Sequence, residues 1–236
     1  MSLEVNIHDA QMVILRELLF HPSVGFAKLQ KLTDMSSDHF NFHLQKLIEL
    51  KLVEKLSRGT YTLAPRGKEY ANKLDTDNHT VERQPKTTVI LVVERKVGKK
   101  IEYLFQERLK HPYFGFWGLI SGKIRWGETI VQTAERELME ETGLMADFKF
   151  AGIYHELAFQ KGSNEQLEDK IFFVMYGTNA QGDLKEEFEG GKNSWMSFKD
   201  FDVKTNKFKN MDIKIGLVSS AEKFIEKVVE YEKDLF

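Results

Sequence analysis

The chain has 236 residues, 34 Lys/Arg against 36 Asp/Glu for a net charge of −2, 42% hydrophobic and 30% charged residues, and no cysteine. That balance suits a soluble globular protein of one large or two small domains, and it excludes disulfides, thiolate metal sites and thiol nucleophiles. No apolar run reaches the roughly 18 residues a membrane helix needs, and the start MSLEVNIHDA lacks a signal pattern, so a cytoplasmic protein with no membrane partner is expected.

In chain order, HDAQMVILRELLF places Met12, Ile14, Leu15, Leu18 and Leu19 at helical spacing and stops near Pro22. GFAKLQKLT predicts a short second helix. DMSSDHFNFHLQKLIELKLV predicts a third, with Ser36 or Ser37 as N-cap and Phe40, Leu44, Leu47 and Ile48 as its buried stripe. VEKLSRGTYTL alternates as two strands around the Arg58-Gly59 turn, and Pro65 introduces a last helix, RGKEYANKL. The polar stretch DTDNHTVERQPKTT reads as a linker, which sets a first domain at 1–75, a linker at 76–86 and a second domain at 87–236.

The second domain opens with the strands TTVILVVERK and KKIEYLFQER, followed by the glycine- and aromatic-rich HPYFGFWGLISG. FKFAGIYHELAFQ and DKIFFVMYGT are further strands, and SAEKFIEKVVEYEKDLF is expected to close the chain as an amphipathic helix. One strong helix between strands plus a terminal helix argues a mixed α/β layer fold.

That strong helix lies in GKIRWGETIVQTAERELMEETGL. Thr129 and Gln132 form a capping box and Gly143 a stop, so the helix runs from about Ile130 to Thr142, with Val131, Ala134 and Leu138 on its packed face. Glu137, Glu140 and Glu141 fall on one arc beside that face. Carboxylates at such spacing repel, and the helix C-terminus disfavours them further, each by a few tenths of a kcal/mol. A hard divalent cation reverses the sign, and oxygen-only ligands favour Mg²⁺ or Mn²⁺. A solvated acidic face is the competing reading of these glutamates alone.

From Gly122 to Leu144 the stretch also matches all nine constrained positions of the pattern Gly-x5-Glu-x7-Arg-Glu-U-x-Glu-Glu-x-Gly-U, with U aliphatic. On this box the second domain resembles the Nudix hydrolases. The resemblance implies an α/β/α sandwich with a mixed sheet, and hydrolysis of a nucleoside diphosphate derivative by metal-activated water. It implies metal binding by Glu137, Glu140 and Glu141 with the backbone carbonyl of Gly122, and a bracing pair, Arg136 and Glu128. The resemblance leaves the general base open between a box glutamate and one on a later loop; there DLKEEFEGGKNSW offers Glu186, Glu187 and Glu189, with Glu189, nearest Gly190-Gly191, the candidate and an exposed acidic loop the competing reading. Lys123, Phe116 and Trp126 are candidate substrate contacts, with Tyr113, Trp117 and Trp195 as further aromatics able to stack a base or to pack. Ile120-Ser121 stand where many members carry Pro-Gly. ADP-ribose or a related nucleotide is the favoured substrate, and a homodimer is expected.

The first domain, from FHLQKLIELKLVEK to GTYTLAPRGKEY, resembles the smaller winged helix-turn-helix domains of regulators. The resemblance points to double-stranded DNA as a partner, read by Ser37, His39, Asn41, Gln45 and Lys46 on the third helix and by Arg58 at the wing. Ten Lys/Arg against nine Asp/Glu in residues 1–75 is a weak electrostatic case, and dimerisation is the competing role. Two readings of the whole stand: a metal-dependent hydrolase with a regulatory DNA-binding domain, or a nucleotide-sensing transcriptional regulator whose second domain mainly binds the effector.

Overall fold

A computed structural model describes residues 7–56, 59–71, 73 and 83–232, and the chain divides into two units, Met1–Arg83 and Gln84–Phe236. Among the described residues no helix is long and apolar enough to cross a membrane.

The first unit runs α1 (Asp9–Phe20), β1 (Val24–Gly25), α2 (Phe26–Thr33), α3 (Ser37–Glu49), β2 (Val53–Lys55), β3 (Thr60–Leu63) and α4 (Pro65–Ala71). Ser36 caps α3, its hydroxyl accepting from the His39 N–H. Periodic apolar residues close one core: Ile14, Leu15 and Leu18 of α1 meet Leu29 of α2 and Phe40, Leu44 and Leu47 of α3. The three short strands form one antiparallel sheet in the order β1-β3-β2. The two-residue β1 has no signature in the sequence, because Val24 and Gly25 become a strand only by pairing with Tyr61 and Thr60. Arg58, Leu74 and most of the expected linker, residues 76–82, lie outside the described residues.

The second unit runs β4 (Lys86–Val97), β5 (Lys100–Arg108), β6 (Trp117–Lys123), α5 (Ile130–Thr142), β7 (Met145–Gln160), β8 (Gln166–Gln181), β9 (Glu187–Phe188), β10 (Gly191–Met196), α6 (Phe198–Asp202), α7 (Met211–Gly216) and β11 (Phe224–Tyr231). One mixed sheet has the order β11-β7-β8-β4-β6-β5-β10-β9, with β4 parallel to β8 and β11 parallel to β7. Strand β4 is buried on both faces, as its unbroken VILVV run requires. Val89, Leu91 and Val93 pack with Ala134 and Leu138 of α5; Ile90 and Val92 point the other way, toward Phe201, Met211 and Leu217. Helix α5 therefore covers one face, and the short α6 and α7 help cover the other.

Two expectations are corrected, and one segment left unassigned by the sequence is placed. The closing segment is strand β11, paired with β7 from Phe224↔Ile153 to Tyr231↔Gln160, instead of an amphipathic helix. FIEKVVEY is rich in β-branched and aromatic residues, and an open sheet edge outweighs its helical spacing. The glycine-rich segment before the box is a strand, β6, held between β4 and β5. A Cβ on Gly118 would come within 2.7 Å of Phe208, so packing selects the glycine that masks the strand signal. On α5, Val131 is 42% exposed, and Ile130 packs beside Ala134 and Leu138.

Candidate active site

Helix α5 carries the site and its ends are set locally. The Thr129 hydroxyl accepts from the Gln132 N–H while the Gln132 side chain accepts from the Thr129 N–H, and Gly143 closes the helix at φ 73°.

The guanidinium of Arg136 braces the preceding loop. It donates from Nε to Glu128 Oε1 at 2.6 Å, from Nη2 to Glu128 Oε2 at 2.8 Å, and from Nη2 to the Lys123 carbonyl at 3.1 Å. Glu128 also accepts from the Arg125 N–H and the Thr133 hydroxyl. These bonds, led by that to Arg136, hold the Glu128 carboxyl down at about 2, while Glu128 holds Arg136 above its usual range. Arg136 Nη1 reaches Glu137 at 2.6 Å and Glu140 at 3.2 Å.

The three box acids differ in environment. Glu137 lies against the backbone of β6, and a Cβ on Gly122 would come within 1.8 Å of its carboxyl carbon, so only glycine leaves it room. Glu141 is largely enclosed. Burial raises its carboxyl above the usual range and the charge of Glu137 adds to this, opposed by a hydrogen bond from Gln106 Nε2 at 2.9 Å. Glu140 is half-exposed, bonded by Arg136 and by Arg125 Nη2 at 3.2 Å.

Glu137 and Glu141 open into a cleft of about 610 Å³, within the range of small-molecule sites. Arg108, Lys110, Lys123 and Arg125 line it near the acids. Elsewhere in the lining, the half-exposed Lys86 donates to Glu168 at 3.1 Å, Lys170 pairs with the other oxygen of Glu168, and the buried Lys214 donates to Glu156 at 2.9 Å. Strand register brings the strand members together, Lys86 standing opposite Lys170 and Lys170 opposite Glu156. Burial lowers Lys214 from the usual lysine range, with Glu156 opposing it, and its ammonium sits 4.4 Å from the Tyr154 ring centre. The Thr88 hydroxyl, on a residue only 6% exposed, lines the cleft without a hydrogen-bond partner among the described residues.

Of the sequence-named residues, Glu137, Glu141, Gly122 and Lys123 line this cleft, and Arg136 and Glu128 stand behind it. Two named contacts are corrected. Phe116 is 3% exposed and packs on the rings of Tyr113 and Phe208, and Trp126 is 96% exposed; neither lines the cleft. Glu189 is exposed and lies outside the cleft lining. A second hollow of about 740 Å³ is lined by Glu186 and by Trp195, whose ring stacks under Arg95 at 4.5 Å. Tyr113 alone of the five aromatics lines the cleft, at φ 65°, a backbone region uncommon for a side chain of its size. In the first unit, Ser37, His39, Asn41, Gln45 and Lys46 are all exposed on α3, beside Asp38, Phe42 and Glu49. The sequence reading missed the ion pairs of the cleft lining, whose partners lie far apart along the chain; the alternation of Lys86, Thr88 and Ile90 on β4 was the only signal for them.

A cation-rich cleft ending at two enclosed carboxylates thus lies on a mixed sheet with helices on both faces. The NUDIX domain model matches residues 83–214, more than half of the chain, and the chain belongs to that family. The fold is similar to that of the NUDIX domain of Shewanella oneidensis NrtR, solved with ADP ribose, at a TM-score of 0.50 and 17% identity, covering 64% of this chain and 95% of that one. A MutT protein from Bacillus halodurans aligns at a TM-score of 0.47 and 22% identity, over 64% of this chain and 93% of that one. An octanoyltransferase of Myxococcus xanthus is 30% identical over 92 residues, 39% of this chain and 26% of that protein, so the chain spans about a quarter of that relative's length.

Proposed function

We propose that this chain hydrolyses the pyrophosphate link of a nucleoside diphosphate derivative, with Mg²⁺ or Mn²⁺ held by Glu137 and Glu141, Glu140 adjoining, and the Gly122 carbonyl. Among the described residues no three acid or histidine side chains form a ready-made ion cage. Two enclosed carboxylates with an open cleft before them nevertheless suit Mg²⁺, which keeps several waters and takes substrate phosphate oxygens as ligands. When bound, the ion would neutralise phosphate charge and activate water for attack at phosphorus. Arg108, Lys110, Lys123 and Arg125 bind the diphosphate, Arg136 and Glu128 keep the loop and helix in register, and Thr88 offers a hydroxyl to the rest of the ligand. The observation that carries this reading is the placement of Glu137 and Glu141 together at the end of a cleft with excess cations. The similar fold solved with ADP ribose makes that compound the first to test. Release of AMP or phosphate from a nucleotide panel, with and without Mg²⁺, is the test.

A second reading is favoured by the polar surface of α3. The element order α1-β1-α2-α3-β2-β3 suits a winged helix-turn-helix, and the exposure of Ser37, His39, Asn41, Gln45 and Lys46 suits base- and phosphate-reading positions. In this reading the chain is a regulator that senses its nucleotide, binds duplex DNA and acts as a homodimer. Salt-dependent duplex binding that changes on adding ADP-ribose supports it, and absence of binding removes it.

A further inference from the structure

We infer that Gln106 and Asn193, an amide pair facing each other across β5 and β10, are positioning residues that aim the Glu141 carboxylate at the catalytic cation. The inference rests on the metal-dependent reading above.

A primary amide has two N–H donors on one end and only an acceptor on the other. Asn193 is 5% exposed, and both its N–H groups are committed: Nδ2 lies 2.8 Å from the Glu141 carbonyl and 2.8 Å from the Lys185 carbonyl. Its Oδ1 must therefore face Gln106, and it can only accept. That forces Gln106 to present Nε2, at 3.1 Å, and the same Nε2 then reaches Glu141 Oε2 at 2.9 Å. The orientation of both amides follows from the two backbone carbonyls, and it leaves a donor, never an oxygen, against Glu141.

Asn193 also helps close the helix. The last carbonyls of a helix lack intrahelical partners. In α5, the Met139 carbonyl accepts from the Gly143 N–H, Thr142 from the Lys185 N–H, and Glu141 from Asn193. Main chain and side chain of Glu141 are thus tied to the same two amides. The second glycine of the Gly190-Gly191 pair acquires a reason here. A Cβ on Gly191 would lie 2.9 Å from Gln106 Cδ and 2.8 Å from the Glu107 carbonyl, so a side chain there would push Gln106 off Glu141.

Arg108 and Lys110 attract the Glu141 carboxylate as well. With the Gln106 donor removed, the carboxylate is free to turn toward those cations and away from the ion.

The test is Mn²⁺ titration of the full chain by calorimetry, with Gln106→Met (similar volume, no donor), Asn193→Asp and Glu141→Gln as variants. The inference expects Gln106→Met to fold normally and to weaken Mn²⁺ binding by about 10-fold or more, as losing an outer-shell partner does. In turnover the variant raises the Mg²⁺ needed for half-maximal rate, while the nucleotide KM stays within about twofold. Asn193→Asp shows the same weakening with a lower melting temperature; should it not fold, Gln106→Met alone decides. Wild-type Mn²⁺ affinity in folded Gln106→Met, unchanged affinity in Glu141→Gln, or no Mn²⁺ binding by the wild type overturns the inference. Weakened Mn²⁺ binding without hydrolysis of any nucleotide would leave the inference standing and remove the hydrolase reading, so the two fail separately.

Discussion

Arg136 grips Glu128, eight residues earlier, with two parallel hydrogen bonds, 2.6 and 2.8 Å long, that tie the box helix to its preceding loop. The same guanidinium caps the Lys123 carbonyl and touches Glu137. It is a brace that fixes where the acids stand relative to β6. Arg136→Lys keeps the charge and loses the fork, since an ammonium cannot make the paired geometry. The expected result is a fall in kcat/KM of about 10- to 100-fold, read by steady-state kinetics at saturating Mg²⁺.

Glu128 gives that brace a signature in acid. Its folded carboxyl is depressed to about 2 from the ordinary 4.5, so its contribution to stability is present above 4.5 and is lost as pH falls toward 2. Urea unfolding of wild type and Glu128→Gln should show a gap that is constant from pH 7 to about 5 and closes below about 4.

Gly122→Ala should abolish activity. The added methyl would occupy the place of the Glu137 carboxyl, and either β6 or the glutamate must move. Overpacking of this kind costs about 1–3 kcal/mol, measurable by chemical denaturation. A variant with unchanged activity would show that Glu137 is not needed where it stands.

His155 bridges three strands, with Nδ1 2.6 Å from Glu226 of β11 and Nε2 2.9 Å from Asp169 of β8. Burial alone would lower it, but the bonds to the two carboxylates prevail and raise it above the usual 6.5. A raised folded value means that the stabilisation is fully present below about 6.5 and is lost as pH rises through the folded value. The stability gap between wild type and His155→Gln should therefore be larger at pH 5.5 than at pH 9, by urea titration at both.

Lys214 and Glu156 are 1% and 7% exposed and satisfy one another. Lys214→Met strands a buried carboxylate and should cost about 3–5 kcal/mol. Lys214→Met combined with Glu156→Gln should cost less than the sum of the single changes, because neither charge is then left alone. Equality of the double variant and the sum would show the two residues to be uncoupled.

The parts of this molecule that could be read from the chain are those whose causes are local. The bounds of α5 follow from Thr129, Gln132 and Gly143, each acting within four residues, and the Arg136–Glu128 pair follows from the box pattern. Strand β6 was masked because Gly118 and Gly122 answer to Phe208 and Glu137, neighbours in space that the strand pattern does not reveal. The closing strand was misread because FIEKVVEY fits both periods, and only the free edge of β7 decides between them. The ion pairs of the cleft were unreadable for a related reason. Lys214 and Glu156 are 58 residues apart and Lys86 and Glu168 are 82 apart, so only the folded arrangement, helix α7 on the sheet in one case and strand register in the other, makes them partners. Aromatic character likewise did not distinguish Phe116, packed in the core, from Trp126 in solvent.

The most direct measurement is product release from ADP-ribose and other nucleoside diphosphate derivatives by wild type and Glu141→Gln, with Mg²⁺ and with a chelator. The account predicts Mg²⁺-dependent release of AMP or phosphate by the wild type, and a fall of at least about 100-fold in Glu141→Gln, the upper end of what losing a mere outer-shell partner costs. Equal rates in the two proteins, or turnover unaffected by the chelator, would contradict it.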